Sequence, residues 1–227
     1  MSKYNESIFI KRNLKRYLKI KHLGLYNFKR KQPFLPVYYL EIIFILINYV
    51  IFKRIYIPQV EFLITTYCTL NCKYCSNYIS QLEDKNRKHL SFENFKVQLD
   101  NLLKNIYKLN SLIIVGGEPL LNPDFNKILQ YSLSQKKVEN VYIFINGTLI
   151  FRPEDIEILK RYRKKVCIFL SNYSSNEKVL PLLKNNKIKE LLNKNKIKYI
   201  YNEKTYWVKQ DPIISYGRTA DENSMLF

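Results

Sequence analysis

Short apolar runs alternate with helix-like segments over most of this chain of 227 residues. Strands that are apolar along their whole length are typical of a parallel sheet with helices packed outside it. Five strand–helix units in about 140 residues are too few for a closed eight-stranded barrel. We therefore predict an α/β fold built as a partial barrel, while the pattern alone leaves a doubly wound sheet open. The five predicted strands are residues 60–68, 111–115, 141–145, 166–170 and 197–201.

The helices between these strands are marked by apolar residues spaced three and four apart and by capping residues. Ser91 is expected to cap the first helix and Asp124 the second, while Pro153 suits the first turn of the third. One or two helices rich in Lys and Asn are predicted between about residues 177 and 194. The apolar face predicted for the first helix consists of Phe95, Leu99, Leu102, Ile106 and Leu109.

The chain divides into three parts by composition. Residues 1–58 form a basic, aromatic-rich extension, residues 59–203 the α/β core, and residues 204–227 a C-terminal segment without a predicted sixth unit. Residues 1–32 carry ten Lys or Arg and a single acid, Glu6. A solvated basic face is the simplest interpretation, and contact with anionic lipid, RNA or an acidic partner is the alternative. The net charge of +19 says little more about partners, because Lys is abundant throughout the chain.

The longest apolar run covers residues 37–52 and includes Glu41 and Asn48. A membrane span needs about 20 apolar residues, so this run is short. A charged residue near the middle of a span costs about 3 kcal/mol. We therefore predict a helix that is docked on the protein or lies on a membrane surface, with a transmembrane segment as a lesser alternative.

Three of the four cysteines, Cys68, Cys72 and Cys75, lie within eight residues at the end of the first predicted strand. This distribution suits thiolates that bind a metal in a reducing compartment, and does not suit a disulfide scaffold. A zinc knuckle needs a fourth ligand, for which His89 and Cys167 are the candidates. Three thiolates on an iron–sulfur cluster instead leave one iron open for chemistry. The spacing CxxxCxxC therefore indicates a metal centre of one of these two kinds.

The second predicted strand ends in a turn made of Gly116, Gly117, Glu118 and Pro119. Ligands of parallel α/β folds bind at the carboxyl ends of the strands. Glycines there let a ligand approach the backbone closely, and a carboxylate accepts strong hydrogen bonds from an ammonium group. For this segment taken by itself, an ordinary strand-to-helix turn is the alternative.

In this order the motifs resemble those of the radical S-adenosylmethionine (SAM) superfamily, over about residues 58–203. The resemblance rests on CxxxCxxC after the first strand, GGEP after the second and INGTL, at residues 145–149, after the third. Tyr74, the aromatic residue before the third cysteine, also fits. The resemblance implies a partial (β/α)6-type radical SAM barrel with parallel strands, preceded by the basic helical N-terminal extension. It also implies two cofactors, a [4Fe-4S] cluster and SAM.

By this resemblance the three cysteines would ligate the cluster, and SAM would bind the open iron through its amino and carboxylate groups. The turn at residues 116–118 would hold the ammonium end of SAM, and Tyr74 would lie near the adenine. Asn146, and Ser171 or Asn172 at the end of the fourth strand, would line the ribose or methionine side. The implied reaction is reductive cleavage of SAM to a 5′-deoxyadenosyl radical, which abstracts hydrogen from a substrate. A one-electron reductant such as flavodoxin or ferredoxin would supply the electron.

Within the superfamily the chain is similar to proteins of the SPASM or twitch type, which carry an auxiliary cluster in a C-terminal region. That group includes peptide-modifying enzymes and proteins associated with surface polysaccharides, so a peptide or sugar-linked substrate is implied. After Cys75 only Cys167 remains, inside a predicted strand. We therefore expect Cys167 to be a small buried hydrophobe, the auxiliary cluster to be missing and the chain to be C-terminally truncated.

Two other functions are alternatives to that of a radical SAM enzyme. One is a catalytically inactive, truncated protein that keeps the cluster, and the other is a zinc-bearing nucleic-acid-binding module, which the charge of +19 motivates. The turn at residues 116–118 argues against the nucleic-acid-binding module, because a zinc knuckle does not need such a turn. Nucleic acid is therefore not expected as a partner. We expect a cytoplasmic location, with contact to a membrane surface through residues 1–56.

Overall fold

The computed structural model describes residues 43, 46–47, 49–70, 72, 75, 77–174 and 176–201. These residues contain one sheet of five parallel strands that follow the order of the chain. The sequential order is that of a barrel wall, because a doubly wound sheet reverses its direction at a switch point. The predicted α/β partial barrel is confirmed and the doubly wound sheet is excluded. The strands are β1 (Tyr56–Leu63), β2 (Lys108–Val115), β3 (Val138–Ile145), β4 (Val166–Leu170) and β5 (Lys198–Tyr201).

Helices of the described part connect these strands: α1 (Phe92–Asn105), α2 (Phe125–Ser134), α3 (Pro153–Arg161) and α4 (Asn185–Lys194). The Ser91 hydroxyl accepts a hydrogen bond from the N–H of Asn94, so Ser91 caps α1 as predicted. Asp124 occupies the N-cap position of α2, as predicted, but its side chain makes no capping hydrogen bond. Its carboxylate accepts instead from the N–H of Phe92, at the start of α1, and from the Lys127 ammonium. Asp124 therefore ties α2 to the start of α1.

Strand boundaries differ from the prediction mainly at β1, which ends well before Cys68. The strand ends there because Thr65 pairs with His89, in the segment before α1, and not with β2. β1 contains Pro58, which is tolerated because β1 is an edge strand of the described sheet. Leu109, which its spacing assigned to the first helix, lies in β2, because α1 has already ended.

Alternate side chains of the sheet pack beneath the helices and form the hydrophobic core. The register aligns Leu112, Val141 and Val166 across β2, β3 and β4, and all three are buried. The other face of the same strands carries aromatic side chains, of which Phe144 and Phe169 stack with their ring centroids 4.4 Å apart. Helices cover the first face, so this second face is the inner wall of the partial barrel.

The described residues between 43 and 52 are helical and expose their apolar side chains. Ile47, Val50 and Phe52 are 45%, 62% and 56% exposed. The described part of the apolar run is therefore not docked on the core. No helix among the described residues is long and apolar enough to cross a membrane. The predictions for the rest of the extension and for residues 204–227 lie outside the described residues.

Candidate functional site

The carboxyl ends of β1 to β4 lie side by side at one edge of the sheet. Each end leads into a segment with predicted site residues. These segments are the loop after β1 that contains Cys68, Cys72 and Cys75 (the cysteine loop), residues 116–118, residues 146–148 and residues 171–173. A cavity that is partly open to solvent lies at this edge. The cavity is lined by Cys68, Leu70, Cys72, Cys75, Asn77, Ile79, Ser80, Gly116, Gly117, Asn146 and Tyr173.

All three cysteines of the motif face this cavity and are partly buried. Burial raises the pKa of the Cys68 thiol, and the nearby Glu118 and Cys72 raise it further. The N–H of Leu70, which lies 3.4 Å from the Cys68 Sγ, acts in the opposite direction. A cation bound to the sulfur would favour the thiolate and overcome this effect of burial.

His89 and Cys167, the candidates for a fourth zinc ligand, make contacts outside the cavity. His89 Nδ1 lies 2.9 Å from the Thr65 hydroxyl, and its ring stacks on Tyr67 with centroids 4.5 Å apart. Cys167 is buried in β4, and burial raises the pKa of its thiol to about 12, as suits a small core hydrophobe. Neither side chain lines the cavity. Among the described residues, no three His, Cys, Asp or Glu side chains are grouped closely enough to hold a single metal ion.

The glycine turn brings the end of β2 directly against the cysteine loop. The N–H of Gly117 donates to the carbonyl of Thr65 at 3.0 Å, and the N–H of Glu118 donates to the carbonyl of Tyr67 at 2.9 Å. A Cβ on Gly117 would lie 2.3 Å from the Tyr67 carbonyl oxygen and 2.5 Å from the Cys68 Cβ. Two segments of backbone therefore approach closely here, which requires glycine at residue 117, whereas the sequence predicted the close approach of a ligand.

The Glu118 carboxylate is fully buried and does not line the cavity. Its Oε2 accepts from the N–H of Asn146 at 2.8 Å, and its Oε1 accepts from the N–H of Leu120 at 3.2 Å. Burial raises the pKa of Glu118 to about 7, although both N–H groups act to lower it. In the structure Glu118 thus binds the backbone of the loop after β3, whereas the resemblance implies contact with the SAM ammonium group.

We expect the free energy of unfolding of the metal-free protein to fall as the pH rises from about 4.5 to 7, because of Glu118. The unfolded chain loses this proton near its ordinary pKa of 4.5, whereas the folded chain holds it up to about 7. Between these values the folded state binds more protons than the unfolded state, so rising pH favours unfolding, by about 3 kcal/mol in total.

Urea unfolding at several pH values checks this expectation. Glu118→Gln should flatten the decline, while Glu157→Gln, which removes an exposed carboxylate on α3, should leave it as in the wild type. An identical pH dependence in Glu118→Gln and the wild type would show that Glu118 is not the titrating group.

Asn146 lines the cavity and also contacts the cysteine loop. Its Nδ2 lies 2.9 Å from Thr69 Oγ1 and 3.6 Å from Cys68 Sγ. Its Oδ1 accepts from the N–H of Thr148 at 3.0 Å and from the Thr148 hydroxyl at 2.7 Å. The two threonine hydroxyl oxygens are 2.5 Å apart. The loop after β3 is thereby joined to the cysteine loop by side chains more than 75 residues apart in sequence.

The loop after β4 contributes a different residue from those predicted. Ser171 and Asn172 do not line the cavity, and the Asn172 Oδ1 accepts from the N–H of Ser174 at 3.0 Å. The next residue, Tyr173, is buried and does line it. Tyr74, the predicted adenine neighbour, lies outside the described residues.

The segment after the third cysteine also reaches the cavity, which no pattern in the sequence indicated. Asn77 donates from Nδ2 to the carbonyl of Gly116 at 3.4 Å, and Ile79 is buried. The Ser80 hydroxyl oxygen is buried and has no hydrogen-bond partner among the described residues. A buried hydroxyl without a partner is unfavourable, so this side chain is suited to a polar group of a bound ligand.

Comparison with protein families identifies this arrangement. Residues 62–197, which include every described residue that lines the cavity, match the sequence profile of the Radical SAM superfamily. The chain belongs to this superfamily. The cofactors of radical SAM proteins are a [4Fe-4S] cluster and SAM.

Two curated radical SAM relatives match part of the chain. The antilisterial bacteriocin subtilosin biosynthesis protein AlbA of Bacillus subtilis (strain 168) is 35% identical over 118 residues, which are 52% of this chain and 25% of AlbA. The S-adenosylmethionine-dependent nucleotide dehydratase of Selenomonas ruminantium is 31% identical over 96 residues, which are 42% of this chain and 32% of that protein. The chain thus spans a third or less of the length of either relative.

Solved structures show the same fold. Streptococcus suis SuiB bound to S-adenosylmethionine superposes with a TM-score of 0.53 at 18% identity, over 90% of this chain and 47% of SuiB. SuiB bound to its precursor peptide SuiA also gives a TM-score of 0.53, at 16% identity and with the same coverage. The five described strands therefore form part of a radical SAM barrel.

The side chains of this radical SAM chain fit the cluster that its family uses. Thiolates are the ligands of iron–sulfur clusters, and Cys68, Cys72 and Cys75 line one cavity. The unpartnered Ser80 hydroxyl and the backbone of Gly116 and Gly117 border the same space. The three cysteines would hold the cluster.

Proposed function

We propose that this radical SAM chain cleaves SAM reductively and uses the resulting 5′-deoxyadenosyl radical to abstract hydrogen from a peptide. The observation that carries the proposal is the cavity lining, which contains three cysteines and, among the described residues, no fourth. Cys68, Cys72 and Cys75 would hold the cluster, which would supply one electron to the SAM sulfonium. The proposed electron donor is a flavodoxin or a ferredoxin.

In this proposal the chain's own residues bind and orient SAM and exclude water. The Glu118 carboxylate is fully buried and does not line the cavity, so the backbone carbonyl groups of Gly116 and Gly117 are the proposed acceptors for the SAM ammonium group. Leu70 and Ile79 give the cavity apolar walls, which keep water away from a reactive radical.

A peptide is the substrate class that the relatives favour. SuiB has been solved with its precursor peptide SuiA, and AlbA is named for its part in the biosynthesis of a bacteriocin. The inner wall of this barrel carries the stacked rings of Phe144 and Phe169, a surface suited to apolar side chains of a peptide. A sugar-linked substrate is the alternative.

The test is SAM cleavage by anaerobically reconstituted protein. We expect a brown protein with about four irons per chain that forms 5′-deoxyadenosine after reduction, measured by mass spectrometry. Samples without reductant should form none. A colourless protein with a single bound zinc would exclude the proposal. A brown protein that binds SAM but never forms 5′-deoxyadenosine would support the inactive, cluster-binding alternative.

We also propose a cytoplasmic protein whose extension contacts an anionic membrane surface. The described residues between 43 and 52 expose apolar side chains and are followed directly by Lys53 and Arg54, a combination typical of interfacial helices. The protein should sediment with vesicles that contain phosphatidylserine and stay in solution with vesicles of phosphatidylcholine alone. Equal sedimentation with both, or with neither, would contradict this contact.

A further inference from the structure

The side chains of Asn146, Thr69 and Thr148 form a closed ring of hydrogen bonds. The N–H of Thr148 can only donate, and it lies 3.0 Å from the Asn146 Oδ1, which fixes the orientation of the amide. The Asn146 Nδ2 therefore donates to the Thr69 hydroxyl. The Thr148 hydroxyl donates to Oδ1, so the Thr69 hydroxyl must donate to Thr148.

One hydrogen of the Asn146 amide is left over by this ring, and it faces the Cys68 sulfur, 3.6 Å from Nδ2. The N–H of Leu70 donates to the same sulfur at 3.4 Å. Hydrogen bonds in a closed chain polarise one another, so the ring makes the Asn146 amide a better donor to Cys68. Both hydrogens of Nδ2 and both lone pairs of Oδ1 are thus used within the protein.

The position of Asn146 is fixed from the other side as well. Its backbone N–H donates to the buried Glu118 carboxylate at 2.8 Å. Asn146 is itself buried, in the loop that follows a central strand of the sheet. The amide therefore cannot turn away from Cys68 without breaking several hydrogen bonds at once.

We propose that Asn146 is a positioning residue, whose amide donates a hydrogen bond to the Cys68 sulfur and thereby raises the reduction potential of the cluster. The inference rests on the proposed function, because it requires the cluster to be bound. Reduction adds negative charge to the cluster and its sulfur ligands, so an N–H donor to a ligating sulfur stabilises the reduced form. This role differs from the direct contact with SAM that the resemblance implies for Asn146, because the amide has no hydrogen-bonding group to spare.

The test is a redox titration of the reconstituted protein, followed by electron paramagnetic resonance and carried out without SAM. Asn146→Ser removes the amide but keeps an oxygen that can accept from the N–H two residues on. We expect a more negative midpoint potential, with about tenfold less reduced cluster at a fixed potential, which is ~59 mV for one electron. Asn146→Leu, which has a similar volume and no polar atom, should shift the potential in the same direction.

Asn172→Ser is the matched control. Asn172 makes the same turn after β4, where its Oδ1 accepts from Ser174, and it does not line the cavity. The midpoint potential of the cluster in Asn172→Ser should equal that in the wild type. Wild-type potentials in both Asn146 variants, with full iron content, would overturn the inference and leave the proposed function intact. Failure of the proposed function is distinguished by a wild-type protein that assembles no cluster at all.

Discussion

The Cys72→Ala variant is expected to lose the cluster completely. Three thiols line the cavity, and a cluster held by only two of them exposes a second iron and dissociates. The measurement is iron and sulfide content after anaerobic reconstitution, together with visible absorbance. We expect about four irons per chain in the wild type and fewer than about one in the variant. Formation of 5′-deoxyadenosine should fall to background in the same sample.

Cys167→Ala is the matched control for this loss. Cys167 is buried in β4 and lies outside the cavity, so its removal should cost about 1 kcal/mol of folding free energy and leave the iron content unchanged. Cluster retention in Cys72→Ala, or its loss in Cys167→Ala, would contradict the assignment of the ligands.

Alanine in place of Gly117 is expected to destabilise the site at its most crowded point. The new Cβ would lie 2.3 Å from a carbonyl oxygen and 2.5 Å from the Cβ of Cys68, and neither belongs to a flexible side chain. Overpacking that forces backbone to move costs about 3 kcal/mol. We expect this loss in urea unfolding of the metal-free protein, and a cluster content well below half of the wild-type value.

Gly116→Ala provides a graded comparison. Its Cβ would meet the side-chain methyl and the carbonyl of Thr65, both at 2.8 Å, a milder overlap. A smaller loss of stability and of iron is therefore expected than for Gly117→Ala. Wild-type stability and iron content in Gly117→Ala would mean that the cysteine loop and the glycine turn do not approach as closely as described.

The centre of the sheet could be predicted from sequence because β2 and β4 are buried on both faces. The continuous apolar stretches that end β2 and β3, and the whole of β4, sit at the core of the barrel wall and have no competing local preference. Strand ends were less predictable. The prediction continued the first strand to Cys68, whereas the pairing of Thr65 with His89 ends it earlier, and that contact joins segments 24 residues apart.

The site was predictable where chemistry depends on residue type and not where it depends on distant contacts. Three cysteines in one short loop indicate a metal centre from spacing alone. The hydrogen bond from Asn146 to Cys68 and the burial of Glu118 arise only when β1, β2 and β3 lie side by side. The sequence of residues 116–118 likewise predicts a ligand contact for Glu118. In the structure the Glu118 carboxylate instead accepts hydrogen bonds from the N–H groups of Asn146 and Leu120.

The proposed reaction requires an iron that carries no protein thiolate and is open to SAM. The most direct test is the electron paramagnetic resonance spectrum of the reduced, reconstituted protein with and without SAM. We predict that SAM changes the spectrum of the cluster with saturable binding, because its amino and carboxylate groups become ligands of that iron. A spectrum that is the same at every SAM concentration, in protein with full iron content, would contradict the account.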